Sequence, residues 1–257
     1  MDVHQQILIE RKQYLLQLHN LKDQNIIKVI TGVRRCGKST LLMMFANDII
    51  KKGVDANQIQ FYNFEDLDIL SIGDIYQIHT HIKERLIYDK MNYIFLDEVQ
   101  NIKEFQRLVD SLYIKPNVDV YITGSNAYML SGELATLLTG RYVEINILPL
   151  QFSEYYHFTL SKSPNLSRNE ILANYIHFGG IPEYIKQLNN SEKQADLFAQ
   201  SILKTIVEKD IFQRLNITNK HDFNKILDFI LDSVGSYVSP RSISDTLRSN
   251  GTIVDKQ

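Results

Sequence analysis

The sequence predicts an α/β chain, with a parallel sheet covered by helices on both faces and then a segment made of helices only. Three observations lead there. Short apolar, β-branched runs alternate with helix-length amphipathic stretches from about residue 26 to residue 150. Gly32-Val33-Arg34-Arg35-Cys36-Gly37-Lys38-Ser39 fits the phosphate-binding pattern G-x-x-x-x-G-K-[ST], between an apolar run (Ile26 to Ile30) and a helix-forming one (Leu41 to Ala46). After Leu148-Pro149-Leu150 the strand-like runs stop.

A helix is expected over 5–20, with Ile7, Leu8, Tyr14, Leu15 and Leu18 near one side, broken by Asp23-Gln24-Asn25. Strands are expected at 26–31, 59–64, 92–97, 118–123 and 142–147. Between them, helices are expected from Lys38 to Lys52, stopping at Gly53, and at about 72–89, 105–113 and 130–138. Later helices are placed at 152–160, 168–178, 182–189, 193–215, 221–235 and 240–249. Ser239-Pro240 supplies an N-cap and a first-turn proline for the last of these. The resulting domains are a core over 1–150, a helical lid over 151–238 and a further segment over 239–257.

The residue types carry a specific chemistry. Gly32 and Gly37 allow the backbone to curl so that consecutive N–H groups point at an anion. Val33, Arg34, Arg35, Cys36 and Thr40 complete the loop, and the helix that follows adds its positive end. In this pattern Lys38 reaches the β- and γ-phosphates, and the Ser39 hydroxyl ligates Mg²⁺. Tyr93-Ile94-Phe95-Leu96-Asp97-Glu98 is a buried strand delivering two carboxylates at its end. Asp97 is expected to hold Mg²⁺ through water and Glu98 to polarise the attacking water. Lys38, Ser39, Asp97 and Glu98 together make ATP hydrolysis the leading expectation.

Composition narrows the alternatives. The formal net charge of −2 implies no nucleic-acid or anionic-membrane partner by itself. One cysteine, Cys36, excludes an intramolecular disulfide and suits a reducing cytoplasm. No apolar run approaches the roughly 18 residues a membrane helix needs, and Met1 to Gln6 lacks the pattern of a signal peptide. His79 and His81 are the only close histidine pair, and no further ligand completes a zinc set.

The motifs together resemble the bacterial and archaeal AAA+-type ATPases that carry a C-terminal domain of unknown function. The resemblance rests on Gly32-Val33-Arg34-Arg35-x-Gly37-Lys38-Ser39-Thr40, Leu96-Asp97-Glu98-Val99-Gln100, Thr123-Gly124-Ser125, Gly140-Arg141, Leu148-Pro149-Leu150 with Phe152 and Glu154, and Gly179-Gly180-Ile181-Pro182. It implies a sheet of order 5-1-4-3-2 with a helical lid. Family members continue into a winged helix and a further domain. This chain stops at Gln257, inside what looks like the start of that winged helix, so it is expected to be a fragment whose C-terminal activity is not carried over.

The resemblance also suggests further roles. Ser125 and Asn126 occupy the sensor position between the carboxylates and the γ-phosphate; a plain Gly-Ser-Asn turn is the competing reading. Arg141 occupies the place of an arginine finger aimed at a neighbour's nucleotide, which implies a homo-oligomer; a surface or lid-pairing arginine is the alternative. Pro182 resembles the lid proline packed near adenine, or else belongs to an ordinary helix–helix turn. Arg34 and Arg35 touch phosphate or a partner's acidic group, or are solvated. Asp66 is an N-cap or lies near the Mg²⁺ shell. Cys36 is read as a small filler whose bulky alkylation should block nucleotide.

The expected function is Mg²⁺-dependent ATP binding and hydrolysis, with a mechanical or regulatory output. One alternative is a signalling switch that holds ADP with little turnover. Another is a DNA-associated ATPase, for which Arg241 and Arg248 are the only hint, with DNA or a protein engaged through the C-terminal region. A small-molecule P-loop kinase is disfavoured by the adjacent Asp97-Glu98 pair.

Overall fold

The computed structural model describes residues 9–124, 138–188, 192–212 and 217–249. The chain divides into two compact units, residues 1–198 and 199–257.

In the first unit, β1 (Ile27–Gly32), β2 (Ile59–Asn63), β3 (Asn92–Asp97), β4 (Val118–Thr123) and β5 (Tyr142–Ile147) form one sheet. Its order is β2-β3-β4-β1-β5, with every neighbouring pair parallel. The expected order 5-1-4-3-2 is the same sheet counted from the other edge. A parallel arrangement needs crossovers over its faces, and the helices supply them. The three central strands β1, β3 and β4 are buried throughout, whereas edge strands β2 and β5 are buried only in part.

Alternation along the strands builds two cores. Ile27, Val29, Ile94, Leu96, Val120 and Ile122 face α4 (Ile75–Glu84) and α5 (Phe105–Tyr113). Ile30, Phe95, Tyr121 and Ile145 face α1 (Lys12–Leu21) and α2 (Lys38–Lys51). Phe45 of α2 lies with ring centroids 5.2 Å from Tyr121 and 6.3 Å from Phe95. Truncating a buried aromatic like this to alanine costs about 3–5 kcal/mol.

Beyond the sheet, α6 (Phe152–Lys162), α7 (Arg168–Phe178) and α8 (Pro182–Leu188) enclose a smaller core of Leu150, Tyr155, Ile171 and Ile185. The two motif segments meet here by backbone contact. Leu150 N–H donates to Gly180 O at 2.7 Å, and Tyr175 Oη–H donates to Leu150 O at 2.9 Å. A Cβ on Gly180 would lie 2.3 Å from Leu150 O, so this approach requires glycine. From residue 192 onward the described elements are helical: α9 (Glu192–Thr205), a π-helical stretch (Ile206–Phe212), α10 (Lys220–Asp232) and α11 (Pro240–Ser249). In the second unit Phe212 meets Phe223 edge to face, with centroids 4.9 Å apart.

Several expected elements differ from those observed. The first helix begins at Lys12 rather than residue 5, and residues 5–8 lie outside those described. The helix expected over 72–89 is observed in shortened form as α4, and a short α3 (Leu67–Leu70) precedes it. Gly73, at φ +125°, precedes the Asp74–Gln77 capping box, which starts α4 at Ile75. The chain after Arg85 is then pinned by Asn92, whose Oδ1 accepts Ile87 N–H and whose Nδ2 donates to Ile87 O, both at 2.9 Å. The helix expected over 193–215 changes to π-helix at Ile206. The helix expected over 130–138 falls outside the described residues except at Leu138, which is buried.

Candidate functional site

Parallel strands deliver their C-terminal ends to one edge of the sheet, and a ligand gathers there. β1 runs into the loop at Gly32, whose φ is +151°. A Cβ at Gly32 would lie 2.3 Å from Ile147 O and 2.8 Å from Cys36 Sγ, so nothing larger fits. Gly37, at φ +100°, is the left-handed residue from which α2 starts. Arg35 is also left-handed, at φ +62°, and its guanidinium lies 5.1 Å over the ring of Phe198. Val33 is exposed and Arg34 half-buried.

Lys38 begins α2 with only 4% of its surface exposed. Its Nζ donates to Gly32 O at 3.2 Å and Val33 O at 3.4 Å, and lies 3.6 Å from Glu98 Oε1. Ser39 lies beside the Asp97 carboxylate. Asp97 is 1% exposed and also accepts the Thr123 hydroxyl. Burial pushes the Asp97 carboxyl up; the Thr123 hydroxyl and the nearby Ser39 oppose this, while the charge of Glu98 adds to it.

Glu98 is held in a left-handed conformation, φ +54° and ψ +49°. For a non-glycine residue this costs of order 1 kcal/mol or more. Its N–H donates to Thr123 Oγ1 at 2.9 Å, and its carboxylate accepts Gln100 Nε2. Gln100 Oε1 is buried with no hydrogen-bond partner among the described residues. Thr123 thus joins both carboxylate residues from the neighbouring strand.

The buried carboxylate and hydroxyl oxygens here fit a hard cation such as Mg²⁺. No group of three or more His, Cys, Asp or Glu side chains able to hold a metal occurs among the described residues.

A small, mostly apolar recess lies beside the loop, lined by Ile9, Arg11, Thr40, Leu41, Met44, Leu150 and Pro182. Pro182 reaches the loop closely enough that a Cβ on Gly37 would lie 3.9 Å from its Cγ. A roomier groove between the start of α1 and α6 is lined by Gln151, Ser153, Glu154, His157 and Ser161, and Glu154 there already pairs with Arg11.

The remaining expected residues are placed as follows. Ser125 and Asn126 lie outside the described residues. Arg141 is at the opposite end of the sheet: its carbonyl accepts Ile27 N–H at 2.9 Å, at the start of β1. Its guanidinium pairs with Asp110 and lies 5.9 Å over the Tyr113 ring. Asp66 is the N-cap of α3, accepting Asp68 N–H at 3.0 Å, which settles it as a helix-start residue. Cys36 is fully buried, and burial pushes its thiol pKa up, so alkylation requires the loop to open first. His79 bonds Ser111 across helices at 3.1 Å rather than joining His81. Reading the sequence does not single out Arg11, Thr123 or Gln100, which the structure places against the loop and the two carboxylates. Thr123 and Gln100 lay inside quoted motifs without a role, and Arg11 carried no local signal.

Residues 24–156 match a family model described as an AAA domain, and residues 169–256 match a domain of unknown function (DUF8612). An uncharacterized protein of Haemophilus influenzae is 37% identical over 243 residues, which is 94% of this chain and 60% of that protein. An uncharacterized protein of Methanocaldococcus jannaschii is 28% identical over 240 residues, 91% of this chain and 52% of that one. The chain therefore spans about half to three-fifths of the length of these curated relatives. Among solved structures, the Walker-type ATPase PABY2304 of Pyrococcus abyssi superposes with a TM-score of 0.62 at 17% identity, over 97% of this chain and 86% of that one, a likeness of fold. With the AAA-domain match covering half of the sequence and the parallel sheet, loop and helix arranged as described, the chain belongs to the AAA-domain family of P-loop ATPases.

Proposed function

We propose that this chain binds ATP with Mg²⁺ and hydrolyses it, using the energy for a mechanical or regulatory change in a partner. The observation that carries the reading is the convergence of Lys38, Ser39, Asp97 and Glu98 at one end of the sheet. The N–H groups of residues 32–40 and the ammonium of Lys38 hold the phosphates. Ser39 and Asp97 hold the cation. When bound, Mg²⁺ neutralises charge on the phosphate oxygens and orients the leaving group. Glu98 orients a water and accepts its proton as the new O–P bond forms and the bond to the β-phosphate oxygen breaks, releasing ADP and phosphate. Thr123 keeps Asp97 and the Glu98 backbone in register. The recess of Leu41, Met44, Leu150 and Pro182, at about 30 Å³, would have to widen to take the adenine ring. Arg141, about 20 Å of strand away from its own loop, serves only a neighbouring subunit's nucleotide. We further infer a core over 1–150, a lid over 151–238 and the beginning of a winged helix over 239–257.

The test is steady-state ATP hydrolysis by the chain and by Glu98→Gln, with nucleotide content and solution mass measured alongside. Turnover by the wild type, and ATP binding without turnover by the variant, supports the assignment. Equal turnover by both removes Glu98 from the mechanism. A second reading, a switch that holds nucleotide with little turnover, is favoured by Pro182 lying beside the loop at Gly37 and by Glu98 already bound to Gln100. ADP retained through purification, with no turnover by either protein, selects it.

A further inference from the structure

We propose that Arg11 is a positioning residue for nucleotide phosphate: from outside the phosphate-binding loop it fixes the Cys36–Gly37 peptide and ties that loop to α6. The inference rests on the ATP-binding reading above.

Arg11 lies just before α1 and is 4% exposed. Its donors go to three different parts of the fold. Nε donates to Glu154 Oε1 of α6 at 2.7 Å, Nη1 to Cys36 O at 3.2 Å, and Nη2 to Leu148 O, after β5, at 2.9 Å. The guanidinium carbon lies 4.8 Å over the Tyr14 ring, and Tyr14 Oη accepts Leu148 N–H at 3.2 Å. Glu154 is committed as well, since its Oε2 accepts Gln151 N–H at 2.9 Å at the start of α6.

Burying an ion pair is a poor way to gain stability, because desolvation offsets the attraction. What this pair secures is placement. In a trans peptide the carbonyl and the following N–H point in opposite directions. Holding Cys36 O toward Arg11 therefore turns Gly37 N–H away from Arg11, toward the phosphate-binding face. A cation on the carbonyl also polarises the peptide and strengthens its N–H as a donor. Lysine cannot substitute, because one ammonium does not reproduce the planar fork that meets three acceptors. Arg11 also borders the recess with Leu150 and Pro182, so loop, recess and α6 share one side chain.

The test compares wild type with Arg11→Lys and with the apolar pair Arg11→Met/Glu154→Leu, which leaves no unpaired buried charge. ATP binding is titrated by calorimetry. AMP, which lacks the β- and γ-phosphates, is followed by displacement of a fluorescent ADP analogue, and thermal unfolding is recorded for each protein. The expected result is folded variants with ATP affinity weakened at least about tenfold, and the AMP curve moved less than about threefold. ATP affinity within twofold of wild type in a folded variant overturns the proposal. Equal losses for ATP and AMP overturn it too, by assigning Arg11 to the base recess. If neither variant folds, Arg11 serves stability alone and the proposal fails. Absence of ATP binding by the wild type is a different result, and it removes the ATP-binding reading itself.

Discussion

Both ends of the sheet bury charge, and they treat it in opposite ways. At the N-terminal end Lys28 and Asp119, on the adjacent strands β1 and β4, meet at 2.5 Å with side chains 0% and 2% exposed. Every group there is satisfied. Lys28 Nζ also donates to Gln24 O at 2.8 Å, while Asp119 accepts Tyr121 Oη–H at 2.8 Å and Asp23 N–H at 2.9 Å. Asp23 in turn accepts Tyr93 Oη–H at 2.7 Å. At the C-terminal end, Asp97 is buried with its carboxyl pushed up, Glu98 is left-handed and Gln100 Oε1 has no partner among the described residues. One end is a closed polar network that specifies strand register. The other stores strain and keeps polar capacity for a ligand, which is how functional sites differ from structural ones.

The two ends should differ most sharply in their effect on activity. Glu98→Gln should lower ATP turnover by about 10²–10⁴-fold, the range for a lost general base, with urea stability nearly unchanged. A loss of stability matching the loss of activity would make Glu98 a structural residue. Next comes the closed network. Asp119→Ala leaves Lys28 charged and buried, and should cost about 3–5 kcal/mol in urea unfolding. Lys28→Met/Asp119→Leu should recover most of that. If the double variant is as unstable as the single one, the pair contributes more than mutual satisfaction.

A smaller effect follows from Tyr121, whose phenol is held far above the ordinary value of 10.0, first by burial and then by Asp119. The folded phenol stays protonated while unfolded phenols ionise above that value. Stability from this group is therefore full below pH 10 and falls as pH rises, by about 1.4 kcal/mol per pH unit. Tyr121→Phe should flatten the alkaline slope and cost about 1 kcal/mol at pH 7, for the lost bond to Asp119. An unchanged slope between pH 10 and 11 would exclude Tyr121 as its source. The smallest effect concerns Arg141 and Asp110, which are 45% and 42% exposed. Asp110→Ala should change stability by less than about 1 kcal/mol. A loss of turnover in Arg141→Ala that appears only at concentrations where subunits associate would identify it as acting between copies.

Much of the fold was legible because its signals are local. Strands 92–97, 118–123 and 142–147 and the helices at 105–113, 168–178 and 240–249 are observed at their expected bounds. Apolar period and turn chemistry mark such boundaries directly. Where a helix end depended on a side chain elsewhere, as with Asn92 holding Ile87, the expected range was too long. The site divides in the same way. Lys38 and Ser39 are adjacent in sequence, and Asp97 and Glu98 close a strand, so their residue types showed themselves. Thr123 and Gln100 lay in motifs whose meaning appears only when β4 is placed beside β3.

By itself, the sequence determined the parallel α/β class, the glycine-bearing loop and the strand that ends in two carboxylates, because each depends on residues within a few positions of one another. The tertiary structure alone decided that Arg11 meets Glu154 across 143 positions, that Lys28 meets Asp119 across 91, and that Arg141 lies at the far end from its own loop. Such contacts depend on strand order and packing, and no periodicity or motif along a chain encodes which distant side chain will satisfy a buried charge.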